Sequence, residues 1–132
     1  MNVYTTDKIR NVVLLGHGGA GKTSLVEAMA YLSGITNRMG KISDGNTISD
    51  FDKEEIKRQF SIHTSVVPVI WDNTKINFLD TPGYFDFVGE VEEAVSAADA
   101  AIIVISGKAG VEVGTQKAWE LCDRYKLPRM VF

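Results

Sequence analysis

Residues 16–23, GHGGAGKT, constrain this chain more than any other stretch, because they fit the spacing GxxxxGK[ST] and sit between an apolar run and a helical one. The run before them, IRNVVLL at residues 9–15, reads as a buried strand, and residues 22–33 read as a helix closed by Gly34. Glycine permits torsions that turn successive N–H groups inward, so the backbone of Gly16, His17, Gly18, Gly19, Ala20 and Gly21 is expected to cradle phosphate oxygens. The positive end of the following helix adds to that attraction. Lys22 is then placed to neutralise β- and γ-phosphate charge, with Gly21 leaving room for its side chain to fold over the loop. The Thr23 hydroxyl is a candidate ligand for Mg2+, which prefers oxygen. Histidine at position 17 is expected to hold the loop by hydrogen bonding rather than to act as acid or base.

A phosphate loop alone does not separate kinase, ATPase and GTPase. The second signal is INFLD followed by Thr81, Pro82 and Gly83, which gives D-x-x-G at the end of a strand. Asp80 is expected to reach the magnesium shell, through water, and the Gly83 N–H to face the γ-phosphate, with Thr81 and Pro82 completing the turn against the nucleotide. Loss of that phosphate would free residues 80–90, so this stretch reads as a switch. All four residue types also form ordinary turns, and it is the preceding phosphate loop and the place at the end of a neighbouring strand that favour the switch reading.

The remaining segments supply a frame. Residues 64–71 and 75–79 read as an antiparallel pair around an Asp72-Asn73-Thr74 turn, with Pro68 marking the edge strand. A helix is expected over 86–97, with Phe87, Val91, Ala94, Val95 and Ala98 on its core face and Glu90, Glu92 and Glu93 on the other. AAIIVI at 100–105 reads as a strand covered on both faces, and Thr115 as the cap of a helix reaching Lys126. Strands alternating with helices imply an α/β fold, a mostly parallel sheet with one antiparallel edge strand and helices on both faces. Residues 35–63 are long and polar, with Met39, Ile42, Ile48, Phe51, Ile56 and Phe60 irregularly spaced and a weakly signalled short helix near 52–58. Such a loop reads as a first switch that orders around the γ-phosphate and Mg2+, with a plain surface insertion as the alternative.

Composition narrows the partners. A net charge of −3 argues against a whole-surface grip on nucleic acid, and no sequence-specific nucleic-acid contact is expected. The longest apolar runs are six residues, too short to span a membrane. Cys122 is a single thiol in an apolar helical pattern, which fits an inert core cysteine and a cytoplasmic, reducing compartment.

With these blocks in place, the chain resembles the GTP-binding domain of the translational GTPases, and among them elongation factor G and its paralogues. GHGGAGKTSLVEA, RQFSI, WDNTKINFLDTPGYFDFVGEVEEAV, AAIIVISGKAGVEVGTQ and YKLPRMVF follow in family order. The resemblance implies a P-loop G domain, GTP and GDP as ligands with Mg2+, hydrolysis, and the ribosome as partner of the full-length protein. It places Ser61 where the family's first switch carries a threonine that binds Mg2+ and the γ-phosphate, and serine keeps the hydroxyl. His63, just beyond, is expected to be structural.

Tyr84 stands where the family has a histidine that orients the attacking water. A phenol can donate and accept hydrogen bonds but stays neutral near pH 7, so slow or altered hydrolysis is expected; simple packing beside Phe85 and Phe87 is the alternative. Gly19 in place of a usual aspartate and RQFSI in place of an RGITI-like segment also mark a divergent branch. The base-reading NKxD motif is expected just past Phe132, where the chain looks cut inside a strand, so residues 1–132 alone are expected to bind nucleotide weakly. Two other classes stay open, a GTP-dependent ribosome-binding module with little hydrolysis and an ATP-using phosphotransfer enzyme.

Overall fold

The first strand organises everything else because its side chains go to both faces of the sheet. In the computed structural model, which describes residues 3–132, β1 (Ile9–Leu15) sends Val13 and Leu15 to one face and Leu14 to the other. Both faces are therefore covered. Leu14 packs with Val26 and Ala30 of α1 (Lys22–Leu32) and with Val67, Val69, Phe78 and Val104. Val13 and Leu15 pack with Ala94 and Val95 of α3 (Val88–Ser96) and with Ala118, Leu121 and Cys122 of α4 (Val113–Tyr125). A strand buried on both sides needs a continuous apolar run, which VVLL supplies.

The sheet has five strands in the order β2-β3-β1-β4-β5. β1 pairs in parallel with β3 (Thr74–Asp80) and β4 (Ala100–Ile103), and β4 pairs in parallel with β5 (Arg129–Val131). β2 (Ser65–Trp71) runs antiparallel to β3 at the edge, where Pro68 removes no ladder bond that the interior needs. The strand order departs in opposite directions from β1, so the carboxyl ends of β1, β3 and β4 open one crevice.

Local chemistry sets the boundaries, and several differ from expectation. The hairpin turn has two residues, not three: Asp72 and Asn73 both carry positive φ, as a type I′ turn requires, and Thr74 already pairs with Trp71. α1 ends in a Schellman arrangement, with Gly34 N–H donating to the Tyr31 carbonyl and Ile35 N–H to that of Ala30. Thr115 does not cap α4. Glu112 is the N-cap, and Thr115 sits inside the first turn, its hydroxyl accepting from the Glu112 N–H at 3.3 Å. β4 stops at Ile103, although the Val104 N–H still donates to the Leu15 carbonyl at 2.8 Å.

The helix expected from residue 86 begins at Val88, after a 3-10 turn over Phe85–Phe87. Phe87 is thereby displaced from the core face and lies 6.4 Å from the Phe60 ring, whereas Val91, Ala94, Val95 and Ala98 do pack inward. Cys122 is fully buried, as an inert core thiol should be, while Trp119 and Tyr125 are half-exposed; Trp119 stacks under Arg129, 4.0 Å from the guanidinium carbon. Among the described residues no helix is long and apolar enough to cross a membrane.

Candidate functional site

The glycine-rich loop leaves β1 at Gly16, which adopts a positive φ and faces the Val104 carbonyl; a Cβ there would lie 2.4 Å from that oxygen. Only glycine fits. At the other end Gly21 is the N-cap of α1, and Lys22 turns back so that its ammonium donates to the carbonyls of Gly16 at 3.1 Å and His17 at 3.0 Å. Burial pushes the Lys22 pKa down, opposed by the charges of Asp80 and Asp50. Ala20 rests its methyl on the α1 side of the core, which anchors the middle of the loop.

His17 braces the loop from outside. Its Nδ1 accepts from the Gly114 N–H at 3.3 Å, and its Nε2 lies 3.5 Å from a Glu112 carboxylate oxygen, so the loop is tied to the start of α4. An Nδ1 that accepts leaves the proton on Nε2, facing Glu112.

Thr23 opens a buried cluster of hydroxyls and carboxylates. Its hydroxyl donates to Asp80 Oδ2 at 2.8 Å and lies 3.3 Å from that of Ser61; Ser49 also donates to Asp80 Oδ2 at 2.8 Å, and Ser61 to Asp50 Oδ1 at 2.7 Å. Three chain segments thus meet: the glycine-rich loop, the end of β3, and the long loop over 35–63. Burial pushes the Asp80 carboxyl up to about 6 against the pull of the Thr23 and Ser49 hydrogen bonds, and burial likewise raises that of Asp50. Among the described residues, three buried side-chain oxygens lack a hydrogen-bond partner, and two of them are Asp50 Oδ2 and Asp80 Oδ1. Two ionisable oxygens with nothing to bind, beside the hydroxyls of Thr23, Ser49 and Ser61, form a donor set suited to a hard cation that keeps water.

A cavity of about 130 Å3 lies against this cluster, lined by Gly18, Gly19, Gly21, Lys22, Thr23, Ser24, Ile42, Asp50, Gln59, Phe60, Ser61, Gly83 and Tyr84. Gly83 packs so closely on the loop that a Cβ would come within 2.7 Å of Gly18 Cα and 2.5 Å of Lys22 Nζ. The ring of Tyr84, 45% exposed, lies beside it. Its Cζ would be 3.0 Å from a Cβ on Gly18, and the ring packs tilted on Phe60 with centroids 4.7 Å apart. The hydroxyl-bearing end of Tyr84 therefore sits over the glycine-rich loop.

Not every residue of the two motifs faces this cavity. Thr81 spends its hydroxyl on the Leu14 carbonyl at 2.6 Å, tying the start of the second turn to β1. Gly16, Thr81 and Pro82 border a separate groove between α3 and α4. His63 bonds outward to Glu90 at 3.4 Å.

Sequence reasoning missed the residues that hold the long loop in place. Glu27 of α1, 2% exposed, accepts from the Gly40 N–H at 2.8 Å and from the Ile48 N–H. Glu55 of α2 (Lys53–Arg58) accepts from the N–H groups of Asp52, Ile62 and His63, while Asp52 caps the helix through the Glu54 N–H. Asp50 was missed too. Its neighbour Asp52 is the exposed cap, and nothing in the local pattern says which aspartate turns inward. Glu90 and Glu92, on the helix face away from the core, are engaged with Thr64 and Arg124.

A mostly parallel sheet with a glycine-rich strand-to-helix loop, a lysine folded over it and an Asp-x-x-Gly turn at the end of the adjacent strand defines the P-loop class of nucleotide-binding domains. Residues 7–132 match the family described as the elongation factor Tu GTP binding domain, and the chain belongs to it. It is thus a guanine-nucleotide-binding domain. The chain is 44% identical over 125 residues, 95% of its length, to a mitochondrial ribosome-releasing factor 2 of Anopheles gambiae, and 42% identical over 123 residues, 93% of its length, to an elongation factor G-like protein of Mycobacterium tuberculosis. It spans only 17% of each. A crystal structure of a protein from Thermus thermophilus superposes with a TM-score of 0.91 at 44% identity, covering 94% of this chain and 19% of that one. A bacterial selenocysteine-specific elongation factor shares the fold at a TM-score of 0.77 and 20% identity, covering 94% and 19%.

Proposed function

We propose that this domain is the nucleotide switch of an elongation factor G-like translation factor, that it holds GTP with Mg2+ and hydrolyses it, and that its nucleotide state governs how the larger protein engages the ribosome. The observation that carries the reading is the meeting of Thr23, Ser61 and Asp80, from three separate segments, in one buried cluster beside Lys22. The backbone of residues 16–21 would cradle the phosphates, Lys22 would neutralise their charge, and Gly83 would meet the γ-phosphate through its N–H. Thr23, Ser61 and Asp80 would hold Mg2+, with Asp50 as a further oxygen that sequence reasoning did not offer. Bound there, the ion would supply charge compensation on the transferring phosphoryl group.

Tyr84 is the candidate for orienting water, because its phenol end lies over Gly18 at the mouth of the cavity. A neutral phenol supplies hydrogen bonds but no positive charge. Its packing on Phe60 favours a second reading, in which GTP occupancy controls docking and turnover is slow.

Single-turnover hydrolysis by the full-length protein, with and without ribosomes, tests both. Tyr84→His is expected to raise ribosome-stimulated phosphate release. An unchanged or lower rate would rule Tyr84 out as the limit on catalysis, and absence of Mg2+-dependent GTP binding in the wild type would sink the whole assignment.

A further inference from the structure

The loop that carries Ser61 and the turn that carries Gly83 are joined to each other, not only to the glycine-rich loop. Phe60 packs on Tyr84 and Phe87, a contact that is apolar and has no preferred register. Glu90, in the first turn of α3, adds direction. Its Oε2 accepts the Thr64 N–H at 2.8 Å, its backbone carbonyl accepts the Thr64 hydroxyl at 3.2 Å, and its Oε1 lies 3.4 Å from His63 Nδ1. Thr64 is three residues past Ser61 and directly precedes β2, so Glu90 grips the long loop where it becomes sheet. The Thr64 N–H holds the Glu90 carboxyl below the usual carboxylate range, so it is ionised at neutral pH and the hydrogen bond from that N–H is charge-assisted.

We propose that Glu90 is a positioning residue that couples the two switch loops, so that a γ-phosphate held by either loop also holds the other. The inference rests on the GTP-switch reading above. GTP presents its γ-phosphate to both loops and GDP presents it to neither, so a contact that keeps the loops in register strengthens binding of GTP selectively.

The test compares release of a fluorescent, non-hydrolysable GTP analogue and of fluorescent GDP from the full-length protein by stopped flow. Glu90→Ala is expected to speed analogue release about tenfold, the scale of a lost charge-assisted hydrogen bond, with GDP release changed by less than about twofold. Amide exchange at residues 60–65 should rise in the analogue-bound variant. Glu90→Gln keeps an acceptor for the Thr64 N–H and should stay within about threefold of wild type for both nucleotides. Equal acceleration of both nucleotides, or none, would overturn the coupling while leaving the switch reading intact. A wild type that does not distinguish analogue from GDP would overturn the switch reading, and the coupling with it.

Discussion

Replacing Asp80 by asparagine should make the metal-free protein more stable at neutral pH, because the site keeps a buried carboxylate that nothing in the chain neutralises well. Its carboxyl is raised from 3.8 to about 6, chiefly by burial. At roughly 1.4 kcal/mol per pH unit, that shift amounts to about 3 kcal/mol of cost to the ionised folded state. Below about pH 4 both folded and unfolded chains hold the proton, and the cost is absent. Between about pH 4 and 6 the folded chain keeps a proton that the unfolded chain has released, so stability falls as pH rises and levels off above about 6. An amide is neutral throughout. Asp80→Asn should still accept from Thr23 and Ser49 but leave its NH2 buried at the unpartnered Oδ1 position, at a cost of about 1 kcal/mol.

The variant should therefore be about 2 kcal/mol more stable than wild type near pH 7.5 and slightly less stable near pH 4. Guanidinium denaturation in chelator at several pH values, read from Trp71 and Trp119, gives the two curves, and their difference removes most of the parallel effect of Asp50. Adding Mg2+ and a GTP analogue should invert the order, since only the wild type gains a ligand. A stability difference that stays constant from pH 4 to 7.5 would refute the claim that Asp80 is held against its solvation.

Two further perturbations probe the frame of the site. Gly83→Ala should abolish tight GTP binding while lowering overall stability by about 1–3 kcal/mol, since its Cβ would press on the Gly18 backbone; nucleotide titration with parallel denaturation checks both. Glu27→Ala should strand the N–H groups of Gly40 and Ile48, costing roughly 1–3 kcal/mol for each that stays buried. Hydrogen exchange should rise across residues 40–48, and protection of β1 should be little changed.

Sequence and structure divide this protein along the range of the interactions involved. The glycine-rich loop, the Asp-x-x-Gly turn and β1 were legible because each rests on local rules: torsions that only glycine adopts, a lysine and a hydroxyl next to each other in the chain, an apolar run that only a doubly covered strand can use. Helix starts were less legible. At Glu112 and Val88 the choice of first residue depends on caps and on a 3-10 turn that several neighbouring residues could have provided. Ser61 was reachable only through family resemblance, because nothing nearby in the chain marks its hydroxyl.

What the tertiary structure alone decided is how the charged residues of the long loop are used. Nothing in the local sequence singles out Asp50, Glu27 and Glu55, yet each is buried, and the backbone groups or hydroxyls that bond to them lie between 3 and 21 residues away in the chain. Tyr84 likewise is an odd residue in a turn until folding brings Gly18 beneath its ring and Phe60 against its side. A local pattern can specify which atoms a segment offers. Only the closed chain specifies which of them lose water, and that loss is what raises the carboxyl of Asp80, a residue that the local sequence marks only as a turn former.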